Sequence, residues 1–170
     1  MCKIGDKCIM EGSKPELLLG MDLRPEFVLI DLEADSNLSA IEILAKRLLR
    51  EGVVKPSFVS AVMQREEEYC TGLTFPEMGI AIPHTFAEHV IDPCIGIATL
   101  KNAVTFRSMG MPDTPCEAEM LFMLGITDPE TQLDFLKTLM RTFQTAGRLK
   151  ALKATKCPEE LVKLFKSYVI

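Results

Sequence analysis

Five consecutive apolar residues, Met120 to Leu124, constrain the fold of this chain more than any other segment. A strand with one wet face alternates apolar and polar residues, so a run without alternation indicates a strand covered on both faces. Helices are the usual cover in a domain built from layers. A strand from Ala118 to Ile126 therefore predicts a central sheet with helices packed on both of its sides.

Strand and helix signals alternate along the rest of the chain. Strands are predicted at 27–30, 79–82, 94–100 and 118–126, and helices at 39–52, 56–68, 129–143 and from Pro158 onward. Ser39 and Glu42 have the spacing of a capping box, Gly52 is a typical helix stop, and Thr71 to Met78 is predicted to be a loop. This order predicts an α/β fold with a central mixed β-sheet flanked by helices on both faces, a three-layer sandwich.

Length and composition predict one domain. Residues 1–24 show no sustained periodicity and are interpreted as an N-terminal extension, and residues 25–170 as the domain. With 48% hydrophobic residues, the chain has enough apolar material for one sizeable core.

Charge and cysteine usage limit the function classes. A formal net charge of -5 and a pI near 5.2 disfavour a nucleic-acid or anionic-membrane surface, which requires clustered positive charge. We expect a cytoplasmic protein without direct membrane insertion, because no apolar stretch has the length of a signal peptide or a membrane span. The six cysteines form no C-x-x-C pair and are expected to be reduced thiols.

His84 is the strongest candidate for chemistry. It is one of two histidines, and it follows the apolar segment Gly79 to Ile82 directly after Pro83, which cannot continue a strand ladder. In open α/β sheets, ligands bind outside the carboxyl ends of strands, and imidazole suits nucleophilic or proton chemistry near neutral pH. Position alone leaves a catalytic and a structural role for His84 equally open.

Other site types are weakly supported. His84 and His89 are five residues apart, which on a helix separates them by about 140°, and the segment matches neither H-E-x-x-H nor H-x-x-E-H, so no metal site is expected. His89 is interpreted as a surface residue. Phosphate-binding glycine loops and the G-x-S-x-G elbow are absent from the sequence. Cys70 or Cys94 could pair with His84 as a nucleophile, but nothing places an activating group beside either thiol, and both are expected to be inert.

A family resemblance rests on two motifs together. Gln64-Arg65-Glu66, followed by Gly79-Ile80-Ala81-Ile82-Pro83-His84, closely resembles the phosphorylation-site signature of enzyme IIA domains of the fructose/mannitol class. These domains belong to the bacterial sugar phosphotransferase system. The resemblance runs from about Phe27 to Phe165 and identifies the predicted domain as an enzyme IIA domain of type 2.

The resemblance implies a phosphotransferase component that works without a cofactor or metal. His84 would accept a phosphoryl group from the phosphocarrier protein HPr and pass it to a cysteine of enzyme IIB, which serves the membrane enzyme IIC. Arg65 matches the family's arginine, whose planar fork could brace the phosphoryl oxygens. Without the resemblance, Arg65 would be interpreted as half of a surface ion pair with Glu66 to Glu68.

Gln132 marks a departure from the family pattern. Many members carry a second histidine in the first turn of the helix after Asp128, where this chain has Gln132. The amide can donate to a phosphoryl oxygen but cannot be protonated. The galactitol-type branch is similar in placing glutamine there, so galactitol uptake is the predicted role. An exposed Gln132 without a role is the alternative.

Two other functions remain open from the sequence. A regulatory enzyme IIA-like module would also be phosphorylated on His84 but would act by binding a transporter, kinase or transcription factor. A metal hydrolase that uses His84 and His89 ranks last. For the phosphocarrier, the surface around His84 is expected to be apolar, with Phe75, Met78, Phe86 and Ala87 as candidates.

Overall fold

The structure is a computed structural model that describes residues 18–130 and 133–169. Its five strands are β1 (Val28–Leu32), β2 (Gly72–Thr74), β3 (Gly79–Ala81), β4 (Cys94–Ser108) and β5 (Met111–Gly125). Its helices are α1 (Asn37–Arg50), α2 (Ser57–Glu68), α3 (Leu133–Gln144), α4 (Arg148–Ala154) and α5 (Pro158–Val169). Single 3-10 turns lie at Pro25–Phe27 and Ala87–His89. No helix in the described ranges is long and apolar enough to cross a membrane.

The strands form one mixed sheet. β4 and β5 make a long antiparallel hairpin, with β1 parallel to β4 and β3 parallel to β5. β2 runs antiparallel to β3 and also meets the end of β4 through a parallel pair between Gly72 and Ser108. The hairpin therefore curls so that its turn lies beside β2 and β3, and the predicted mixed sheet is confirmed.

β5 is covered on both faces. Met120, Phe122 and Leu124 lie in a core cluster with side chains of α3, α4 and α5. Leu121 and Met123 lie in a second cluster with side chains of α1 and α2. All five residues are buried. The helices on opposite faces confirm the predicted three-layer arrangement.

The first helix begins earlier than predicted. The side chain of Ser36 accepts a hydrogen bond from the Ser39 backbone N–H at 3.1 Å, so Ser36 is the N-cap and Ser39 lies within α1. The capping-box assignment to Ser39 was wrong because Ser36 also offers a hydroxyl three residues before a free N–H. The predicted stop is correct: Gly52 has a φ of +77°, and Val53 N–H bonds back to the Leu48 carbonyl.

The segment predicted as a loop contains β2. Gly72 to Thr74 pairs with Gly79 to Ala81, and Phe75 N–H donates to the Met78 carbonyl at 3.0 Å to close the turn. A three-residue strand that starts with glycine carries little local signal, since its formation depends on its partner strand. β4 and β5 also extend beyond the predicted ranges, and α4 was not predicted.

Part of the predicted N-terminal extension packs against the domain. Residues 1–17 lie outside the described residues. Leu18, Met21 and Leu23 are buried in the cluster that includes α3, α4 and α5. Asp22 bonds alongside β4, accepting from Ile95 N–H and donating to the Pro93 carbonyl. The chain is thus packed from Leu18 onward, and where the domain begins as an independent unit stays a prediction.

Gly79 allows β3 to approach β5 closely. The register shifts there, since Gly79 pairs with Ala118 and Ile80 with Met120. A Cβ on Gly79 would lie 2.2 Å from the Glu117 carbonyl oxygen, which is a backbone atom that cannot rotate away. The strand that leads to His84 therefore depends on the absence of a side chain at position 79.

We predict that Gly79→Ala lowers the free energy of unfolding by ~1–3 kcal/mol, because the added methyl group forces β3 away from β5. Urea unfolding measures this loss. Gly96→Ala is the matched control, since the three atoms nearest to a Cβ there are methyl carbons of Leu44 and Leu48, at 3.3 Å, which can move aside. Equal losses in the two variants would show that the β3–β5 contact is not the cause.

Candidate functional site

His84 lies where β3 gives way to the end of β5. Pro83 interrupts the ladder, but its carbonyl accepts from Leu124 N–H at 3.0 Å, and His84 forms a parallel bridge with Leu124. The chain from Ala81 to His84 is therefore held against β5 by backbone contacts. This confines the histidine to the sheet end at which an α/β fold forms its crevices.

The backbone also selects the tautomer of the neutral His84 ring. Its Nδ1 lies 2.9 Å from the carbonyl oxygen of Ile82. A carbonyl can only accept, so Nδ1 carries the proton and the neutral ring keeps a lone pair on Nε2. The Ile82 carbonyl is available because the next residue, Pro83, directs the chain out of the ladder. The half-buried imidazole is thus able to act as a nucleophile through Nε2.

An apolar cavity of about 390 Å³ adjoins the histidine. With His84, it is lined by Leu73, Ile82, Met109, Leu124, Ile126, Leu136 and Met140. These residues come from β2, the end of β5, the segments that follow β3 and β5, α3, and the turn of the β4–β5 hairpin. A recess of this composition favours contact with an apolar part of another molecule.

Met109 is a site residue that the sequence analysis missed. It lies in the hairpin turn, is 40% exposed, and its N–H donates to the Gly72 carbonyl at 2.8 Å. The predicted strand ended at Leu100, which left this turn unassigned. The available signal was the alternation from Val104 to Ser108, in which every second residue is buried.

Arg65, in the last turn of α2, is held between two aromatic rings. Its guanidinium carbon lies 4.1 Å from the centre of the Tyr69 ring and 4.9 Å from that of Phe86. Both rings belong to side chains that are 60% exposed. Stacking of this kind stabilises a cation without neutralising it.

The alternative in which Arg65 forms an ion pair with its acidic neighbours is wrong. Glu66 turns inward and accepts two hydrogen bonds from Thr71, and Glu68 accepts one from Gln64 at 3.1 Å. Among residues 18–130 and 133–169, no carboxylate pairs with Arg65. Its N–H groups are therefore available to an incoming anion.

Arg65 and His84 occupy neighbouring recesses. Arg65 lines a second cavity, of about 240 Å³, together with Thr85, Phe86 and His89. Phe86, which stacks on Arg65, follows His84 by two residues. The structure thus brings Arg65 to the segment that follows His84. Among the described residues, no direct hydrogen bond joins the two side chains.

Gln132, the third predicted site residue, lies outside the described residues. Before it, Glu130 N–H donates to the Asp128 carboxylate at 3.0 Å. After it, Leu136 of α3 lines the His84 cavity. The described part of α3 therefore begins beside the histidine, and the role of Gln132 stays a prediction.

The two histidines do not form a common site. His89 lies 2.9 Å from the Ser57 hydroxyl through Nδ1 and 3.4 Å from Glu88 through Nε2, and it lines the cavity that contains Arg65. Over the described ranges, no group of three or more His, Cys, Asp and Glu side chains is placed to hold a metal ion.

The cysteines nearest in sequence to the site are not activated. Cys94 is buried against α1 and α2, and this burial raises its pKa to about 12. At neutral pH its thiolate is therefore negligibly populated. Cys70 is half-buried and donates to the Ser108 carbonyl at 3.1 Å. Neither position offers the nucleophile that the cysteine alternative required.

The predicted apolar surface is only partly exposed. Met78 is buried, and Phe75 packs edge-to-face on Phe143, with 5.7 Å between ring centres. Met78 belongs to the core and the half-buried Phe75 packs against it, because the turn between β2 and β3 folds down onto α3. Phe86 is exposed and Ala87 half-exposed. Other exposed apolar side chains in this region are Tyr69, Met109 and Leu133.

The site therefore combines the His84 imidazole, an apolar recess beside it, and an arginine that pairs with no carboxylate among the described residues. Residues 22–168 match the family of the phosphoenolpyruvate-dependent sugar phosphotransferase system, EIIA 2. The chain belongs to this family, which confirms the resemblance identified from the two motifs.

Among characterised relatives, the chain is similar to the galactitol-specific EIIA components of the phosphotransferase system in Escherichia coli. The K12 protein is 28% identical over 127 residues, which cover 75% of this chain and 83% of the relative. The component of the O157:H7 strain matches to the same extent.

Solved structures share the fold. The enzyme IIA of E. coli from the complex of IIA-mannitol with phosphorylated IIB-mannitol has a TM-score of 0.69 at 20% identity, covering 86% of this chain and 99% of that one. A Streptococcus mutans phosphotransferase IIA protein has a TM-score of 0.72 at 23% identity, and the match covers 87% of this chain and 95% of that one. The nitrogen regulatory protein IIA-Ntr of Neisseria meningitidis has a TM-score of 0.63 at 21% identity, with 87% and 96% covered.

Proposed function

We propose that this protein is a cytoplasmic phosphocarrier of a bacterial sugar phosphotransferase system. His84 accepts a phosphoryl group from phospho-HPr and passes it to a cysteine of enzyme IIB, which serves the membrane enzyme IIC. The observation that carries the proposal is the hydrogen bond from His84 Nδ1 to the Ile82 carbonyl, which leaves Nε2 as the nucleophile.

The proposed reaction consists of two displacements at phosphorus. In the first, the Nε2 lone pair forms a bond to phosphorus as the bond between phosphorus and HPr breaks. In the second, a cysteine thiolate of enzyme IIB attacks phosphorus, and the electron pair of the P–N bond returns to Nε2. Neither step requires a proton from His84 Nδ1, which stays bonded to the Ile82 carbonyl. Transfer of this kind depends on alignment and on stabilising charge on the equatorial oxygens.

Arg65 is the proposed source of that stabilisation. Its charge is not neutralised by a described carboxylate, and its guanidinium lies over the rings of Tyr69 and Phe86. A planar fork can donate two N–H groups to two phosphoryl oxygens. Because Arg65 stacks on Phe86, which follows His84 by two residues, we expect its guanidinium to reach a phosphoryl group on His84.

Gln132 is the proposed neutral donor. Leu136 lines the His84 cavity, and residues four apart share a face of a helix, so Gln132 would face the same cavity if α3 continues through it. The amide could then donate to a phosphoryl oxygen, together with free N–H groups of the helix terminus.

HPr and enzyme IIB are proposed to dock in turn on the exposed apolar side chains around His84. Tyr69, Phe86, Met109 and Leu133 are 40–60% exposed and lie on the elements that surround the two cavities. A modest apolar patch suits partners that must also leave. The mannitol IIA of E. coli, which shares this fold, has been solved in complex with phosphorylated IIB.

Galactitol is the proposed substrate of the system, supported by the similarity to galactitol-specific EIIA components. Incubation of the phosphorylated protein with galactitol and mannitol enzymes IIB tests this assignment. Preferred transfer to the galactitol partner supports it, and preferred transfer to the mannitol partner contradicts it. The alternative, a regulatory module that is phosphorylated on His84 but acts by binding a transporter, kinase or transcription factor, would transfer to neither.

We predict that His84→Ala abolishes labelling by phospho-HPr, because it removes the nucleophilic Nε2. The measurement uses radiolabelled phosphoenolpyruvate with enzyme I and HPr. His89→Ala, the matched control, should label like the wild type. Label that survives acid treatment, as a serine ester would, or that remains in His84→Ala, would refute the assignment of His84.

Arg65→Ala is expected to slow transfer from phospho-HPr by ~10²-fold, since it deletes a charged donor to the transferring group. Arg65→Lys should recover only part of the rate, because a point charge cannot reproduce a two-pronged contact. Arg50→Ala, which removes the same charge from the last turn of α1, controls for net charge. Full activity in either Arg65 variant would exclude Arg65 from the site.

Gln132→Ala should slow transfer only a few-fold, the effect of losing one neutral hydrogen bond. Gln132→His should add an ionisation between about pH 6 and 7 to the pH profile of the transfer rate. Gln144→His places a histidine at the other end of α3 and should leave the profile unchanged. Unchanged rates and profiles in both Gln132 variants would show that this position lies outside the reaction centre.

A further inference from the structure

Glu66 is a buried carboxyl group beside the proposed site. It follows Arg65 in α2, but its side chain is directed inward and the residue is only 2% exposed. Acidic side chains are rarely buried to this extent unless they are paired. Burial raises the pKa of Glu66, while hydrogen bonds from Thr71 lower it. A group that is costly to bury is held at the end of the helix that carries Arg65.

Both carboxyl oxygens of Glu66 contact the same residue. Thr71 donates its backbone N–H to one oxygen at 3.0 Å and its hydroxyl to the other at 2.6 Å. Thr71 is itself 2% exposed. Because Thr71 donates both hydrogen bonds, they fix the orientation of Thr71 as well as its distance from α2.

Thr71 connects directly to the His84 segment. Its carbonyl accepts from Ile82 N–H at 3.2 Å, and the Ile82 carbonyl accepts from His84 Nδ1 at 2.9 Å. An unbroken series of contacts therefore runs from Glu66 through Thr71 and Ile82 to the imidazole. A shift of Thr71 would move the carbonyl that sets the state of the ring.

The hairpin turn is held at the same junction. Gly72, the residue after Thr71, accepts from Met109 N–H at 2.8 Å and pairs with Ser108. Three elements of the site thus contact residues 71 and 72. These elements are the end of α2, which carries Arg65, the segment after β3, which carries His84, and the hairpin turn, which carries Met109. The Glu66–Thr71 contact joins the end of α2 to the other two elements.

We propose that Glu66 is a positioning residue for phosphoryl transfer: through Thr71, it aligns the Arg65 end of α2 with the Ile82 carbonyl that orients His84. This inference rests on the proposed function. Glu66 does not touch the reacting atoms. Its effect is to keep the relative positions of the Arg65 guanidinium and His84 Nε2 fixed. Displacements of about an ångström at such distances are enough to cost up to ~10²-fold in rate.

Three variants test the inference. Glu66→Ala removes both contacts to Thr71, Thr71→Val removes only the hydroxyl, and Glu66→Gln keeps an acceptor for the Thr71 N–H and so serves as the conservative variant. Thr99→Val is the matched control, since Thr99 is also fully buried and its hydroxyl accepts from Asp31 N–H at 2.9 Å. That contact joins β4 to Asp31 of β1, and neither residue lines the cavity beside His84.

Two readouts are required. Long-range ¹⁵N–¹H NMR of the unphosphorylated protein reports which nitrogen of His84 carries the proton, and it does not depend on the proposed function. Steady-state transfer from phospho-HPr reports kcat and KM. We expect Glu66→Ala to shift the His84 ring from the Nδ1–H form and to lower kcat at least ~10-fold at nearly unchanged KM. Thr71→Val should have a smaller effect of the same kind, and Glu66→Gln should retain most of the activity.

The outcomes separate positioning from stability. If Glu66→Ala and Thr71→Val lose stability but match Thr99→Val in the His84 signals and in kcat, Glu66 is merely structural and the inference fails. If Glu66→Ala does not fold, Thr71→Val compared with Thr99→Val decides in the same way. If the wild type is not phosphorylated by phospho-HPr, the proposed function fails, and the NMR comparison alone decides whether Glu66 orients His84.

Discussion

The burial of β5 on both faces is the constraint on which the rest of the structure depends. Apolar side chains such as Phe122 and Leu121 point to opposite sides of the sheet, and each side must exclude water. Helices α1 and α2 supply one cover, and α3, α4 and α5 the other. β3 and β4 pair with the two edges of β5, so the carboxyl end of β5 is held in place. A residue hydrogen-bonded to that end is therefore also held in place. His84 is bonded there through Leu124.

Backbone groups hold His84 in place, and they are free to do so because the strand ladder ends at Pro83. Pro83 ends the ladder, and the carbonyls of Ile82 and Pro83 then accept from the imidazole and from Leu124 N–H, respectively. A backbone carbonyl is a dependable partner because it does not ionise and cannot rotate independently of its strand. In the proposed phosphocarrier, one nitrogen of His84 thus stays committed to the protein while the other exchanges the phosphoryl group.

Much of this arrangement could be predicted from local sequence. The run from Met120 to Leu124 predicted a doubly covered strand, Gly52 a helix stop, and Pro83 the break before His84. These signals work because each depends on residues close together in the chain. The pairing of Arg65 with His84 came from the family resemblance, and sequence alone could not describe how Arg65 is stacked between Tyr69 and Phe86.

The features that were missed depend on distant contacts. β2 exists because β3 and the end of β4 lie beside it, and Met109 reaches the site because the hairpin curls. Sequence alone assigned Glu66 to a surface ion pair with Arg65, as one of the acidic residues Glu66 to Glu68. Its burial becomes apparent only when Thr71 is folded against α2.

The way Arg65 is held bears on reversibility. An arginine in a salt bridge with a carboxylate would have to leave that partner, at a substantial cost, before it could bind a phosphoryl group. Stacking on Tyr69 and Phe86 orients the guanidinium and leaves its N–H groups unpaired among the described residues, so binding an anion breaks no ion pair. Release of the anion likewise exposes no buried charge, because both rings lie at the surface. In the proposed carrier, Arg65 can therefore take up and release the phosphoryl group without breaking or re-forming an ion pair with a described carboxylate.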